Sequence, residues 1–325
     1  MVKAIRVNEH GGPEVLKWED VEIGEPKEGE IRVKNKAIGV NFIDVYFRKG
    51  NYKAPVPFTP GMEAAGVVTA VGPGVTEIKV GHAVAYAGAP LGSYTEEQIL
   101  PANVVVPVPL SIDYNVAASV LLKGTTAQML LRRVFKVEAG HTILVHAAAG
   151  GVGSLLCQWG KALGATVIGT VSTEQKASQA TEDGCDHVII STKEDFVARV
   201  NEITGGKGVD VVYDSIGKDT FQGSLSTLKT RGYMVSFGSP SGTPDPLPLS
   251  DLSSKSLYLT LPSLLHYNST SEELLQSAAE LFENVASGAL KVRVNHSYPL
   301  SEAGRAHADL EARKTSGSIV LLPDN

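Results

Sequence analysis

The sequence predicts an α/β protein with two domains, a doubly wound Rossmann domain and a barrel-like β domain. Three observations lead to this prediction. Residues 142–164 show a strand, a glycine turn and a helix in succession, and strands then alternate with helices as far as residue 261. Residues 3–109 instead hold short strands separated by Gly and Pro turns. A length of 325 residues also exceeds one typical core.

The composition is that of an ordinary globular protein. Hydrophobic residues make up 43%, charged residues 20%, and the formal net charge is −6, which argues against non-specific binding to nucleic acid or anionic membranes. Two cysteines, Cys157 and Cys185, exclude a disulfide framework and a cysteine-rich zinc site. No apolar run reaches the ~18 residues of a membrane span. We therefore expect a cytoplasmic protein without a membrane partner.

The β region is interrupted by an irregular, aromatic-bearing segment at residues 41–60, where a substrate wall is expected beside a rigid barrel. The strands predicted around it are Ala4–Val7, Leu16–Val21, Glu30–Ile38, Gly66–Val71, Ala83–Tyr86, Glu97–Leu100 and Asn103–Val106. A buried helical stretch at 113–135 leads into the second domain, which has six predicted strands. After Pro262 the pattern changes, and we expect the chain to return to the first domain. The predicted domains are thus 1–124 with 263–325, and 125–262.

The turn after the strand Thr142–Val145 is the candidate phosphate-binding loop. Small residues stand at Ala147, Gly150 and Gly153, a spacing that differs from the strict G-x-G-x-x-G fingerprint. Backbone N–H groups at the following helix start are suited to a pyrophosphate. The alternative is a tight strand–helix turn without a ligand.

The tip of the next strand predicts NADPH rather than NADH. An acidic residue there would bind the ribose 2′-OH of NAD, whereas this chain has Ser172 followed by Lys176, which suit a 2′-phosphate. The alternative is that Lys176 is an ordinary solvated lysine. Glu174 fits the NADPH interpretation least because it is acidic, although a negative charge is favoured at a helix start.

The β region offers too few ligands for a catalytic zinc, which needs about three protein ligands. It has no cysteine, and its histidines, His10 and His82, do not adjoin the irregular segment. We therefore predict chemistry without a metal. A quinone or conjugated enone suits this, since negative charge delocalises over such an acceptor.

These features together resemble the zinc-independent quinone oxidoreductases of the medium-chain dehydrogenase/reductase superfamily, the group that includes zeta-crystallin. The resemblance runs over essentially the whole chain. The motifs that carry it are Gly39–Asp44, Gly61–Gly66, Leu122–Gly124, His146–Gly153, Tyr213–Gly217, Ser236–Gly238 and Pro262–Leu264. Zinc-dependent relatives would have a cysteine near Asn41 and a histidine at Met62.

The resemblance implies a GroES-like catalytic domain, reduction of quinones with NADPH, a nicotinamide in the cleft between the domains, and a homodimer. The run Leu257–Leu261 is the candidate dimer edge. By match, the cofactor-binding residues would be Asn41, Thr126, Gly150, Gly151, Val152, Gly153, Ser172, Lys176, Ser191, Phe237, Gly238, Ser239, Leu264 and Arg313. Ser191 stands where the family often has a tyrosine.

Four residues are candidates for a catalytic role. Asn41 would orient the nicotinamide or the substrate carbonyl, or else cap a helix. Asp44 would hold neighbouring side chains such as Arg48, or form a surface pair. Tyr46 and Tyr52 would stack on a flat acceptor or donate a proton, or simply pack.

Two other functions remain open at this stage. An alkenal or enone reductase would use the same fold on a carbon–carbon double bond. An AU-rich RNA-binding or crystallin-like structural protein would need no turnover, but the acidic composition and the absence of a basic aromatic patch argue against RNA.

Overall fold

The computed structural model describes residues 1–88 and 90–323. Its strands are β1 Val2–Val7, β2 Leu16–Val21, β3 Glu30–Val40, β4 Glu63–Val71, β5 Ala83–Ala87, β6 Glu97–Pro101, β7 Val105–Pro107, β8 Thr142–Val145, β9 Thr166–Val171, β10 His187–Ile190, β11 Val209–Asp214, β12 Leu228–Ser236, β13 Tyr258–Thr260, β14 Val294–Pro299 and β15 Ser318–Leu322. Its α-helices are α1 Phe42–Lys49, α2 Tyr114–Met129, α3 Gly151–Ala162, α4 Glu174–Glu182, α5 Phe196–Ile203, α6 Phe221–Thr227, α7 Leu249–Ser253, α8 Leu264–Tyr267, α9 Ser271–Ala286 and α10 Ala303–Glu311.

The first compact unit comprises residues 1–125, 268–286 and 292–325. Its main sheet has the order β14-β15-β3-β4-β5-β7, with β6 also paired to β3, and β1 and β2 form a separate antiparallel pair. β15 pairs antiparallel with β3, so strands from the two ends of the chain share one sheet. Alternating strand residues such as Ile31 and Val33 are fully buried in its core. This unit is the GroES-like barrel domain.

The second compact unit comprises residues 126–267 and 287–291. Its six strands are all parallel and run in the order β10-β9-β8-β11-β12-β13. This is the order of a doubly wound sheet built from two mononucleotide halves, and ligands bind such sheets beyond the carboxyl ends of the strands. The predicted fold class is confirmed.

The unit limits differ from the predicted domain limits by one residue at the first crossing and by five at the second. From residue 268 the chain lies in the first unit, except for residues 287–291, which belong to the second unit. Strand limits differ mostly at their ends, where pairing continues past the apolar run, as at β3 and β4. No helix in the described residues is long and apolar enough to cross a membrane.

Candidate active site

Asn41 begins helix α1 and is held by two carboxyl groups of the first unit. Its extended backbone (φ −129°, ψ 152°) makes it the N-cap residue, and its N–H donates to Asp44 Oδ2 at 2.9 Å. Its side-chain Nδ2 donates to Glu63 Oε2 at 2.8 Å. A carboxylate only accepts, so this bond fixes the amide, with Oδ1 directed away from Glu63. Asn41 and Asp44 therefore form the capping box of α1, and the Asn41 amide nitrogen also binds Glu63.

Glu63 is a fully buried carboxylate that receives three donors. Its Oε1 accepts the Leu122 N–H at 2.7 Å, and its Oε2 accepts both Asn41 Nδ2 and Lys123 Nζ, the latter at 3.2 Å. Glycine is required at position 39 for this arrangement, because a Cβ there would lie 2.4 Å from Glu63 Oε2 and 2.1 Å from the Ala118 carbonyl oxygen. The motifs around Gly39, Glu63 and Lys123 thus build a single cluster.

Asp44 is the second buried carboxyl group that binds Asn41. Its Oδ2 accepts the Asn41 N–H and the Tyr94 hydroxyl, at 2.9 and 3.0 Å, while its Oδ1 is buried without a hydrogen-bond partner in the described residues. Burial raises the pKa of Asp44 to about 7, against the lowering effect of the Asn41 and Tyr94 hydrogen bonds and the charge of Lys123. The carboxyl therefore changes charge near neutral pH.

The bonds of Arg48 correct the suggestion that Asp44 holds this arginine. Arg48 is fully buried and donates to the Gly11 carbonyl, to His307 Nδ1 at 3.1 Å and to Glu311 Oε2 at 2.8 Å. Asp44 is not among its partners. Arg48 therefore ties α1 to α10 instead of pairing within its own helix.

Tyr46 and Tyr52 are brought together, with ring centroids 5.3 Å apart. Phe42 lies 5.4 Å from Tyr46 and Phe47 lies 5.5 Å from Tyr52, so the four rings form one aromatic cluster at α1 and the residues after it. Tyr52 is 47% exposed. The cluster therefore has a face open to solvent on which a flat molecule would stack.

In the second unit, the glycine turn has the geometry of a phosphate-binding loop. Gly150 is the N-cap of α3, and Gly151, Val152 and Gly153 form its first turn, where backbone N–H groups lack partners within the helix. A Cβ at Gly153 would lie 2.1 Å from the Ala147 carbonyl oxygen, whereas one at Gly150 would lie 3.1 Å away. Gly153 is therefore required for the helix to approach the strand, and the loop fits a dinucleotide pyrophosphate.

The tips of β9 and β10 form the candidate 2′-phosphate corner. Thr173 caps α4 by accepting the Lys176 N–H at 3.2 Å, and Thr192 Oγ1 donates to the Ser172 carbonyl at 3.0 Å. Ser191 is exposed, and its hydroxyl donates to the Val171 carbonyl at 3.1 Å. Ser172 and Ser191 thus follow neighbouring strand ends, and Lys176 lies in the first turn of α4.

The charge of Glu174 at this corner is compensated. Lys193 Nζ lies 2.6 Å from Glu174 Oε1, on the surface. Since this ion pair offsets the charge of Glu174, that residue no longer argues against NADPH.

The remaining predicted cofactor residues are split between the units. Phe237, Gly238 and Ser239 follow β12 at the carboxyl edge of the sheet, where the Phe237 N–H donates to the Asp214 carbonyl at 2.9 Å. Leu264 begins α8, and Thr126 lies within α2 at the start of the second unit. Asn41, Asp44, Tyr46, Tyr52 and Arg313 belong to the first unit, and Arg313 is exposed just after α10 with a φ of 58°.

The sequence analysis missed Tyr94 and His307, which contact Asp44 directly and through Tyr94, respectively. His307 Nε2 lies 2.9 Å from Tyr94 Oη. A signal was present: Ala303, Ala306 and His307 follow helical spacing and are all buried, so the histidine stands on the inward face of α10.

The described residues contain no group of three or more His, Cys, Asp or Glu side chains placed to hold a metal ion. Asn41 and Met62 occupy the positions where zinc-dependent relatives are expected to have ligands, and neither is one of the usual zinc-ligand residue types.

A barrel domain joined to a doubly wound sheet with a phosphate-binding turn defines a nucleotide-dependent dehydrogenase or reductase. Residues 27–110 match the alcohol dehydrogenase GroES-like domain family, and residues 151–282 match the zinc-binding dehydrogenase family. The chain is 49% identical to a quinone oxidoreductase of Pseudomonas aeruginosa over 325 residues, 99% of this chain and 100% of that protein. It is 47% identical to a 2-haloacrylate reductase of a Burkholderia species, over 99% of each chain.

Solved structures agree. The NADPH complex of an Escherichia coli quinone oxidoreductase superposes with a TM-score of 0.97 at 49% identity, covering 99% of this chain and 100% of that one. The chain therefore belongs to the quinone oxidoreductase family of the medium-chain dehydrogenase/reductase superfamily.

Proposed function

We propose that this protein reduces quinones with NADPH, without a metal. The observation that carries the proposal is the pairing of the Gly150–Gly153 turn with Ser172 and Lys176 at the neighbouring strand tip, which fits a phosphorylated dinucleotide. The full-length similarity to quinone oxidoreductases and to an NADPH complex supports it. NADPH supplies the hydride. The protein binds the cofactor and the acceptor, orients them, and excludes competing reactions.

The Asn41 amide suggests how the reacting ends are oriented. With Nδ2 donating to Glu63, Oδ1 is left as an acceptor, which suits the carboxamide N–H of a nicotinamide better than a second carbonyl. We also propose cofactor-binding roles for Thr126, Phe237, Gly238, Ser239 and Leu264 of the second unit and for Arg313 of the first. The aromatic face of Tyr46 and Tyr52 would stack on the flat acceptor.

The test is NADPH oxidation at ~340 nm, the absorbance band of the reduced nicotinamide, after chelator treatment. The acceptors are 9,10-phenanthrenequinone, 1,4-benzoquinone and an alkenal, and NADH is run in parallel. We expect turnover with at least one quinone, a preference for NADPH, and no loss after chelation. Binding of NADPH without turnover of any acceptor contradicts the proposal, and loss of activity on chelation contradicts the metal-free mechanism.

A second candidate is reduction of an activated carbon–carbon double bond. It is favoured by the 47% identity to a 2-haloacrylate reductase, a protein named for an acceptor of that kind. Turnover restricted to the alkenal, or to a haloacrylate added to the panel, would support this candidate over quinone reduction.

We also propose that the protein acts as a homodimer in the cytoplasm, with no nucleic acid partner. The edge strand β13 pairs with β12 on one side only, and Leu261, just beyond it, is 72% exposed. An open apolar edge of this kind favours pairing with a second copy. The net charge of −6 supports the absence of nucleic acid.

A further inference from the structure

Lys123 is a charged residue in a place where lysine is rare. It lies on α2 and is only 7% exposed, and its Nζ is 3.2 Å from Glu63 Oε2. A buried ammonium is costly unless it is paired and hydrogen-bonded. The Glu63 carboxylate supplies the opposite charge, and the ion pair explains why the lysine is tolerated.

The pairing with Glu63 uses only part of the capacity of this ammonium. An ammonium has three donors, and within the described residues only Glu63 accepts one of them. Glu63 in turn accepts from Leu122 and Asn41 as well as from Lys123. The spare donors of Lys123 are thus available to an oxygen that the protein itself does not supply.

Glu63 holds the Lys123 ammonium beside Asn41. Lys123 Nζ and Asn41 Nδ2 lie within hydrogen-bond distance of the same oxygen, Glu63 Oε2. Both residues are 7% exposed, so both retain a small accessible surface. A ligand group at Asn41 therefore lies close to the buried ammonium of the Lys123–Glu63 pair, where a charge-assisted hydrogen bond is stronger than in water.

We propose that Lys123 is a catalytic residue that binds the carbonyl oxygen of the acceptor and stabilises the negative charge that develops on it. This inference rests on the proposed function. In the reaction, a C–H bond of the reduced nicotinamide would break, its electron pair would form a bond to the acceptor at a position conjugated with the bound carbonyl, and the carbonyl π pair would move onto the oxygen. That oxygen then takes a proton from water. The balance for a quinone is quinone + NADPH + H⁺ → hydroquinone + NADP⁺.

The competing explanation is that Lys123 only neutralises Glu63. The two explanations separate in the variants K123M and K123M/E63Q. The single variant leaves a buried carboxylate without its cation, whereas the double variant removes both charges and keeps one acceptor oxygen, for either Asn41 Nδ2 or the Leu122 N–H. K3M, which breaks the exposed Lys3–Asp20 pair of 2.8 Å, is the control for loss of a lysine.

The first measurement is quinone turnover. We expect kcat to fall about 100-fold in K123M and to stay low in K123M/E63Q, as when one donor to a developing oxyanion is removed, with K3M unchanged. The Kd for NADPH, followed by fluorescence, is expected to remain at the wild-type value in K123M and K3M, which leave the bond between Asn41 and Glu63 in place. Recovery of wild-type kcat in the double variant would overturn the proposal.

The second measurement needs no turnover. 2-Hydroxy-1,4-naphthoquinone is an anion at neutral pH that resembles a charged, partly reduced acceptor, and its binding is followed by its visible absorbance. We expect its Kd to rise at least about tenfold in K123M/E63Q, as for loss of a charge-assisted hydrogen bond. Equal affinity of wild type and double variant would overturn the proposal. If the wild type reduces no quinone, the proposed function fails, but this measurement still decides the role of Lys123.

Discussion

Tyr94 and His307 meet edge to face in the core of the first unit, with 2.9 Å between Oη and Nε2 and an interplanar angle of 86°. Arg48 can only donate, so its bond to Nδ1 leaves the histidine proton on Nε2. His307 therefore donates to Tyr94, and Tyr94 donates to Asp44. Arg48 at one end sets the direction of every hydrogen bond in this series. The series ends at the Asp44 carboxyl group, which accepts the Asn41 N–H.

This series of hydrogen bonds from Arg48 to Asp44 orients side chains and does not conduct protons. A relay would require each member to accept a proton, and an arginine keeps its protons at all accessible pH values. Burial and the charge of Arg48 lower the pKa of His307 to about 3, which keeps the ring neutral. We therefore assign Tyr94 and His307 a positioning role.

The first prediction concerns Asp44. Its pKa is raised in the folded state from 3.8 to about 7, so its contribution to stability is full below about pH 4 and is lost as the pH rises to about 7. In D44N this loss is absent. We expect the unfolding free energy of the wild type relative to D44N to fall by about 4 kcal/mol between about pH 4 and pH 8. Urea unfolding of both proteins at several pH values measures this difference. The same dependence of unfolding free energy on pH in the wild type and D44N would contradict the prediction.

His307 is predicted to act in the opposite direction. Because its pKa is lowered from 6.5 to about 3, its contribution is present above about pH 6.5 and is lost as the pH falls towards 3. The unfolding free energy of the wild type relative to H307Q should fall by about 5 kcal/mol over that range. H266Q, which changes an exposed histidine of α8, serves as the control. If the unfolding free energy of the wild type and of H307Q fell equally with decreasing pH, the result would contradict a buried, neutral His307 ring.

Replacement of Gly153 is predicted to damage the phosphate-binding turn. The Cβ of G153A would lie 2.1 Å from the Ala147 carbonyl oxygen, so the helix start must shift, whereas G150A has 3.1 Å and needs only a small adjustment. We expect G153A to weaken NADPH binding at least about tenfold, since a lost hydrogen bond to a charged group costs about 1.5 kcal/mol, and G150A to weaken it less. G24A, whose Cβ meets no atom within 4 Å, is the matched control. The Kd values are measured by fluorescence titration, and the reverse order of effects would show that close packing at Gly153 is not the cause.

Lys193 is predicted to affect cofactor choice. In K193A the Glu174 carboxylate loses its 2.6 Å partner and repels a nearby 2′-phosphate. We expect the Kd for NADPH to rise about fivefold, the scale of an exposed ion pair, with no change for NADH. The double variant E174Q/K193A should restore NADPH binding. A parallel loss of NADH affinity in K193A would show that Lys193 acts on something other than the 2′-phosphate.

The edge of β13 is predicted to form a dimer interface. L261K places a charge on a residue that is 72% exposed, so the fold of the monomer should be unaffected. We expect the dimer dissociation constant, measured by analytical ultracentrifugation, to rise at least about tenfold, because a charge at an apolar sheet edge opposes pairing. L110K, at a fully exposed leucine elsewhere, should leave it unchanged. Equal dissociation constants for both variants would place the interface on another surface.

Much of the second unit follows from local pattern. Short apolar runs alternate with amphipathic helices, and parallel strands joined by helices have few arrangements, so the strand order was predictable in outline. The glycine turn was predictable for the same reason, since its backbone N–H groups belong to consecutive residues. The ion pair between Glu174 and Lys193 was not, because their proximity depends on β9 and β10 lying side by side.

The sequence by itself determined the fold class, the glycine turn, the hydroxyl and lysine at the second strand tip, and Asn41 at a helix start, because each depends on residues close together in the chain. Only the tertiary structure decided the partners of Asn41, the amide orientation that Glu63 imposes, the spare donors of Lys123, and the link from Arg48 through His307 to Asp44. The long-range contacts among these join residues 22 positions apart in Asn41–Glu63 and 259 positions apart in Arg48–His307. Their energies depend on burial, which a chain acquires only when distant segments pack and exclude water.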